Sequence, residues 1–335
     1  MARVGIREVA AASGVSIGTV SHYLNHPARV SAEKARRIQE AMDRLGFVRN
    51  NAGRQLRLGH SSTIAYMVPN VGNPFFATIA EGVEQRATEV GLSVFLTNSR
   101  RDREREDSYL ALFEEQGVRG MLIASSRPIE SRLAPIRDRG TPSVLVGRRA
   151  SSPEQPSVSV DDVLGGYLAV RHLIETGRRR IAYVGGPLLV SQVADRLQGA
   201  SNAVREFPGV TLEVIDIEEH VIAEGRRVAE ELLTREPSAR PDGVFAVNDL
   251  VAIGLLNVLA ARGVRIPEDV AIIGYDDTEY AANSLVPLSS VRPPHEAFGM
   301  AAVDLLLAVM PGSETTPPPD PRLVFDPELV IRAST

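Results

Sequence analysis

The sequence predicts an all-α head built on a helix-turn-helix, followed by an α/β body of two doubly wound parallel-sheet subdomains. Three observations carry this. Short helical segments fill the first 46 residues, and from Thr63 onward strand-like and helix-like stretches alternate. The charge also divides, with +6 on residues 1–60 and −11 on the remainder of a chain whose total is −5.

At 335 residues two or three domains are expected. Apolar residues make up 44% and charged residues 24%, enough material for a sizeable core. The chain has no cysteine, which excludes disulfides, cysteine-ligated zinc, iron–sulfur clusters and a cysteine nucleophile, and fits a reducing compartment. In the opening MARVGIREVAAASGVS, Glu8 and Ser13 interrupt the short apolar stretch, and no run of 18 apolar residues follows anywhere. A cytoplasmic protein with no membrane partner is expected.

In the head, Ile6-Arg7-Glu8-Val9-Ala10-Ala11 has helical spacing and Gly14 supplies a tight turn. Ser16 can cap a second helix, Ile17 to Leu24, because its hydroxyl can accept from N–H groups one turn on. Ser31 is placed to cap a third, Ala32 to Leu45, with Ile38, Ala41, Met42 and Leu45 on one stripe and Gly46 as the stop. Residues 50–61 read as a linker able to become helical.

In the body, strands are expected at Ile64–Val68, Ser93–Leu96, Met121–Ala124, Ser143–Val146, Ile181–Val184, Val244–Val247 and Val270–Ile273. Amphipathic segments fall between them near 75–90, 103–116, 162–176, 191–206, 221–235 and 249–262. Strand–helix alternation implies parallel sheets covered by helices, and this many strands suit two subdomains with a cleft between them. The four prolines of Gly312–Pro321 predict an exposed loop, and a strand pair is expected over Leu323–Arg332. The expected boundaries are 1–48 for the head, 49–61 for a hinge and 62–335 for the body, divided into 62–160 plus 293–320 and 161–292 plus 321–335.

A helix-turn-helix needs a small residue in its first helix, a glycine at the turn and a second helix free to enter the major groove. Ala10, Gly14 and Ser16 to Leu24 meet those needs. Val9, Val15, Val20 and Leu24 make a small core, leaving Ile17, Gly18, Ser21 and His22 outward. The basic charge of the head suits a polyanion.

Several motifs then occur in order: Ile6-Arg7-Glu8-Val9-Ala10, Gly14-Val15-Ser16, Thr19-Val20-Ser21, Asn25, Val30-Ser31, Leu45-Gly46-Phe47, Asn50, Arg54-Gln55-Leu56 and Leu329 to Ser334. Together they resemble the lactose/galactose repressor family over nearly the whole chain. The resemblance implies a ligand-responsive transcription repressor that binds a pseudo-palindromic double-stranded operator as a homodimer, with a periplasmic-binding-protein-like body. It also implies that Ile17, Gly18 and His22 read base edges, and that Ser16, Thr19, Ser21 and Asn25 hold the DNA backbone. Arg54 and Leu56 would lie in a hinge that orders on the operator, with Leu56 wedged into the minor groove. Unstacking a base step costs a few kcal/mol, offset by the wider contact that a bent duplex allows.

Two positions of the head and hinge depart from the family, and in the body Arg178 stands where histidine is usual. Many relatives carry arginine at the place of His22, and histidine offers guanine one hydrogen bond where arginine offers two. Gly53 replaces a common alanine and lowers the helix propensity of the hinge.

In open α/β sheets, ligands settle at the carboxyl ends of the strands. Asn73-Pro74-Phe75-Phe76, Ser125-Ser126, Gly147-Arg148, Asp195-Arg196, Asn248-Asp249 and Asp276-Asp277 fall there. By the same resemblance, Phe75, Phe76, Ser125, Arg148, Arg196, Asn248 and Asp276 contact an effector, a sugar or another polar metabolite. Arg196 would supply a donor fork, Asn248 an amide and Asp276 an acceptor. Asp249 reads first as a helix N-cap.

No enzyme, cofactor or metal site is expected. The phosphate-binding Gly-x-x-x-x-Gly-Lys loop, the Gly-x-Gly-x-x-Gly turn and the His-Glu-x-x-His pair are missing from the sequence, and its one Gly-x-Ser-x-Gly run, Gly14 to Gly18, falls in the turn of the helix-turn-helix and not on a strand-to-helix elbow. His172, His220 and His295 are scattered without metal spacing.

Overall fold

The computed structural model describes residues 4–47, 61–315 and 317–335. They fall into two compact units, a head and a body, divided between residues 60 and 61.

The head contains α1 (Ile6–Ser13), α2 (Ile17–Asn25) and α3 (Ala32–Leu45). Glu8 reaches back to the Gly5 amide at 2.8 Å, and Gly14, at φ 64°, ends α1 in the left-handed region that glycine tolerates. The Ser16 hydroxyl accepts from the Thr19 amide at 3.1 Å, the cap that the sequence predicts. Ser31 differs: it precedes α3, but its hydroxyl makes no capping bond. Val9, Ala10, Val20, Ile38 and Ala41 form the core, with Val15, Leu24 and Met42 partly buried against it. Arg37 and Arg44 of α3 donate to the carbonyls of Gly14 and Ala12, which fixes the turn against the third helix.

The body holds twelve strands among its described residues, in two six-stranded sheets. In chain order they are β1 (Thr63–Val68), β2 (Ser93–Asn98), β3 (Met121–Ile123), β4 (Ser143–Val146), β5 (Ser157–Val160), β6 (Arg180–Val184), β7 (Thr211–Ile215), β8 (Gly243–Ala246), β9 (Ala271–Tyr275), β10 (Ser289–Arg292), β11 (Arg322–Phe325) and β12 (Glu328–Val330). The first sheet runs β11-β5-β4-β3-β1-β2 and the second β12-β10-β9-β8-β6-β7. Every neighbouring pair is parallel except β10 and β12. Central strands such as β1 and β9 are buried along nearly their whole length, as expected where helices cover both faces.

The helices are α4 (Pro74–Glu89), α5 (Arg103–Glu115), α6 (Glu130–Asp138), α7 (Asp162–Glu175), α8 (Ser191–Arg205), α9 (Ile222–Leu233), α10 (Asp249–Ala261), the short α11 (Glu279–Ala282) and α12 (His295–Val309). One close approach matters for the site. A Cβ on Gly166 would collide with the Arg196 carbonyl, and one on Gly199 with the Val163 carbonyl. These glycines let α7 and α8 touch backbone to backbone, which brings Asp162 beside Arg196.

The chain passes between the lobes after β5, after β10 and after β11. The last passage corrects the expected boundary. Arg322–Phe325 pairs with β5 in the first sheet, while Glu328–Val330 pairs with β10 in the second. Residues 322–325 therefore belong to the first lobe, and the expected strand pair over 323–332 is two strands in two different sheets.

Candidate functional site

On the head, Ile17, Gly18 and His22 lie exposed along one face of α2, with Ile17 at 50% exposure. An apolar side chain this exposed on a three-helix unit is available for contact with another surface. Ser16 and Thr19 hydroxyls are 2.9 Å apart at the start of the helix, and the Asn25 amide donates to the Ser21 carbonyl at its end. The sequence-predicted DNA contacts of the head thus share one side of one helix, flanked by polar groups. Gly53, Arg54 and Leu56 are outside the described residues.

In the body, a cavity of about 90 Å³ lies between the lobes at the carboxyl ends of the strands. Phe75, Phe76, Ser125, Arg196, Asn248 and Asp276 all line it. Arg148 does not, which corrects that expectation: Gly147, at φ 86°, turns the chain so that the glycine faces the cavity. The Arg148 side chain is buried elsewhere, close enough to act on the Glu130 carboxylate.

The apolar wall is made by Phe75 and Phe76, packed edge to face with ring centroids 5.1 Å apart. They start α4, where the Asn73 side chain accepts from the Phe75 amide at 3.1 Å and Pro74 takes a first-turn position that needs no N–H. Ser125, after β3, donates to Glu106 at 2.8 Å, and Glu106 is held in turn by Arg132.

Arg196 organises the opposite wall. Its Nε donates to Asp162 at 2.8 Å, its Nη1 to the Val247 carbonyl at 2.5 Å, and its Cζ stands 3.4 Å from the centre of the Tyr275 ring. Burial works against the charge, but Asp162, Tyr275 and Asp276 hold its pKa above the usual arginine range. Two edges of the fork are therefore already used inside the protein, and only the remainder faces the cavity.

Asn248 is the N-cap of α10, accepting from the Val251 amide at 3.0 Å and donating toward the His220 carbonyl at 3.3 Å. Asp249, read from sequence as that cap, is instead the first helical residue. It is fully buried and accepts from Ser290, from the Thr278 hydroxyl and from the Thr278 amide. Asp276 sits in a positive-φ turn after β9 at φ 99°. Among the described residues no donor bonds its carboxyl, and burial pushes that carboxyl well above the usual range against the pull of Arg196. An acceptor lacking a donor, at the edge of a cavity, suits a ligand that brings hydroxyl or amino hydrogens.

Sequence reasoning missed Asp162, Gln192, His220 and Arg101, all of which line the same cavity. Gln192 donates to the Gly147 carbonyl at 2.6 Å from the other lobe. His220 Nε2 lies 2.6 Å from the Gly186 carbonyl, so it carries the proton, and Nδ1 accepts from Arg101 at 3.3 Å. Burial and the Arg101 charge push the His220 pKa down to about 4, leaving a neutral ring. Among the described residues no group of three or more acidic or histidine side chains is placed to hold a metal, and no helix is long and apolar enough to cross a membrane.

Residues 5–50 match the family described as bacterial regulatory proteins, lacI family, and residues 170–335 match the periplasmic binding protein-like domain. The HTH-type transcriptional regulator CelR of Thermobifida fusca is 35% identical over 343 residues, covering 99% of this chain and 98% of that protein. The HTH-type transcriptional repressor PurR of Aliivibrio fischeri is 30% identical over 334 residues, covering 98% and 97%. Among solved structures, a CelR–cellobiose complex aligns with a TM-score of 0.73 at 32% identity, covering 99% of this chain and all of the other. The Lac repressor dimer on its operator aligns with a TM-score of 0.83 at 24% identity, over 100% and 99% of the chains, a likeness of fold.

Proposed function

Because the chain belongs to the lacI family of bacterial regulatory proteins, we propose that it is a cytoplasmic homodimeric repressor whose effector binds in the cleft described above. It is a sequence-specific DNA-binding transcriptional regulator and not an enzyme. Ile17, Gly18 and His22 read base edges of a pseudo-palindromic operator while Ser16, Thr19, Ser21 and Asn25 hold its backbone, with Arg54 and Leu56 acting in the minor groove. Phe75 and Phe76 pack against the effector. Ser125, Arg196, Asn248 and Asp276 orient it, with Asp276 accepting its hydrogens. Effector binding changes how the two lobes close, and through the hinges this changes the spacing of the two heads. The coupling is a difference in effector affinity between two states, commonly about 1–3 kcal/mol.

The observation that carries the reading is the unbonded carboxyl of Asp276 at the cavity edge, opposite a wall of two phenylalanines. A polar, hydroxyl-rich body with one apolar face fits that pairing, which favours a sugar over a flat base. A thermal-shift screen of sugars, nucleobases and small acids on the full-length protein, followed by operator binding with and without each hit, tests it. A compound that both raises the melting temperature and changes operator affinity is expected. A protein that selects no duplex sequence, with or without any such compound, overturns the reading.

A further inference from the structure

A second cavity, of about 340 Å³, opens beside the first at the mouth of the cleft. It is walled by Asn70, Asn98, Arg100 and Arg101 from the first lobe and by Glu219 and Val221 from the second. Pro69 and Arg101 line both cavities, so the two are neighbouring chambers that share Arg101 as a partition.

The balance of charge differs between the two chambers, even in the inner one and basic in the outer one. The inner one sets Asp162 and Asp276 against the guanidiniums of Arg196 and, at the partition, Arg101. The outer one holds Arg100 and Arg101 against Glu219 alone. Among the described residues neither Arg100 nor Arg101 has a carboxylate within salt-bridge distance, although most other arginines of the body do. Among the described residues the only side-chain hydrogen bond of Arg101 goes to the neutral His220 ring, which cannot compensate its charge. Burial lowers the Arg101 pKa, so the site disfavours an unaccompanied cation there.

The backbone is bent to place these side chains. Arg100 and Arg101 follow β2 in consecutive left-handed conformations, at φ 53° and 58°, where residues with a Cβ are uncommon. The turn is held by the Asn98 side chain, which accepts from the Arg100 amide, and by the Ser99 amide, which donates to the Val68 carbonyl. Left-handed residues with a Cβ are enriched at binding sites. Across the chamber, Val221, the N-cap of the 12-residue α9, lines the same space and offers no side-chain acceptor to the first amides of that helix.

We infer that the effector is a phosphorylated polyhydroxy compound of the sugar-phosphate class, with its hydroxylated body in the inner chamber against Asp276 and its phosphate in the outer chamber on Arg100 and Arg101. This rests on the reading of the cleft as the effector site. Two guanidiniums match the oxygens of a phosphomonoester by paired hydrogen bonds. A phosphate there touches the first lobe through the arginines and the second through the start of α9, so it holds the cleft closed in a way a neutral sugar does not.

The test is calorimetric titration of the full-length protein with pentose and hexose phosphates, their unphosphorylated parents and the corresponding aldonic acids. Arg101→Gln, Arg100→Gln and Asp276→Ala are titrated in parallel, with melting temperatures recorded for each. At least one sugar phosphate is expected to bind 100-fold or more tightly than its neutral parent. Arg100→Gln, which touches only the outer chamber, should weaken that compound at least 30-fold, leaving the neutral parent's affinity and the protein's melting temperature unchanged, and Arg101→Gln should weaken the phosphate more than the parent. A neutral sugar that binds as tightly as any phosphate, and depends on Asp276, overturns the outer-chamber assignment and leaves the effector site standing. An aldonic acid that outbinds the phosphate also overturns it, in favour of a carboxylate ligand. Binding of any probe that ignores both Arg101 and Asp276 overturns the cleft reading as well.

Discussion

Gln192 at the start of α8 donates its side-chain amide to the carbonyl of Gly147 at the end of β4, 2.6 Å away and on the opposite lobe. With the Arg101–His220 contact, it ties the lobes together across the cavity. A net hydrogen bond contributes about 1 kcal/mol. Gln192→Ala is therefore expected to favour the open cleft and weaken effector binding about five-fold. Small-angle scattering should show a larger radius of gyration for the ligand-free variant. An unchanged radius and affinity would mean that this bond does not hold the closed pose.

Arg196 and Asp162 form an ion pair that is nearly inaccessible to solvent. Removing one member leaves the other charged and buried, typically at a cost of about 3–5 kcal/mol. Arg196→Met should lower the unfolding free energy read from urea titration by that order, and adding Asp162→Asn should recover more than half of the loss. A double variant no better than the single would place the cost instead in the lost bond to Val247 and the lost stacking on Tyr275.

Asp276 makes the opposite prediction. Its carboxyl is buried with no donor among the described residues, so Asp276→Ala should leave stability equal or higher while abolishing the effector's influence on operator binding. Fluorescence anisotropy on operator DNA, with and without effector, reads this directly. A normal response would remove Asp276 from the ligand's contacts.

Burial pushes the Asp249 carboxyl up to about 7, against three hydrogen bonds that favour its ionised form. In the unfolded chain an aspartate titrates near 3.9, so between roughly pH 4 and 7 the folded protein holds a proton that the unfolded one has lost. This group's contribution to stability is then greatest below pH 4, falls by up to about 1.4 kcal/mol per pH unit as pH rises to 7, and is level above. Asparagine can donate to Ser290 and accept from Thr278, so Asp249→Asn should remove this slope and keep the fold. Urea midpoints between pH 5 and 8 for both proteins check it; parallel curves would assign the slope to other groups.

His22 stands exposed on the face of α2 that carries Ile17 and Gly18. Replacing it with arginine, which pairs with guanine in two bonds, should shift selected operators toward guanine at one position in each half-site, by about 1–3 kcal/mol of discrimination. Selection from a randomised duplex pool measures it, and an unchanged preference would show that His22 reads no base.

Elements whose signal is local were legible in the sequence. Gly14, Ser16 and Gly46 mark helix ends by their own backbone chemistry, and β1, β3 and β4 are apolar runs between turns. Ser289-Ser290-Val291-Arg292 gave no such signal, because the serines of β10 are buried polar groups satisfied by Asp249, Ser334 and Thr335 from distant parts of the chain. In the cleft, residues that follow strands were legible from topology alone, as with Asp276 after β9. Arg148 was misplaced because one positive-φ glycine decides which neighbour faces inward. Gln192 and Gly147 are 45 residues apart, and Arg101 and His220 are 119 apart. Neither pair has a spacing that a single sequence reveals.

The placement of β11 has a consequence for the order of synthesis. The first sheet takes its edge strand from residues 322–325, beside β5 at 157–160, and α12 at 295–309 packs on α4 of the same lobe. As the chain leaves the ribosome, the central strands of the first sheet are present by residue 160 and those of the second by residue 292, but the first lobe still waits for α12 and β11, and the second for β12. The N-terminal lobe, begun first, thus stays incomplete until the second lobe is itself nearly finished. A nascent chain stalled before residue 322 should leave its β5 edge open to pairing with another chain.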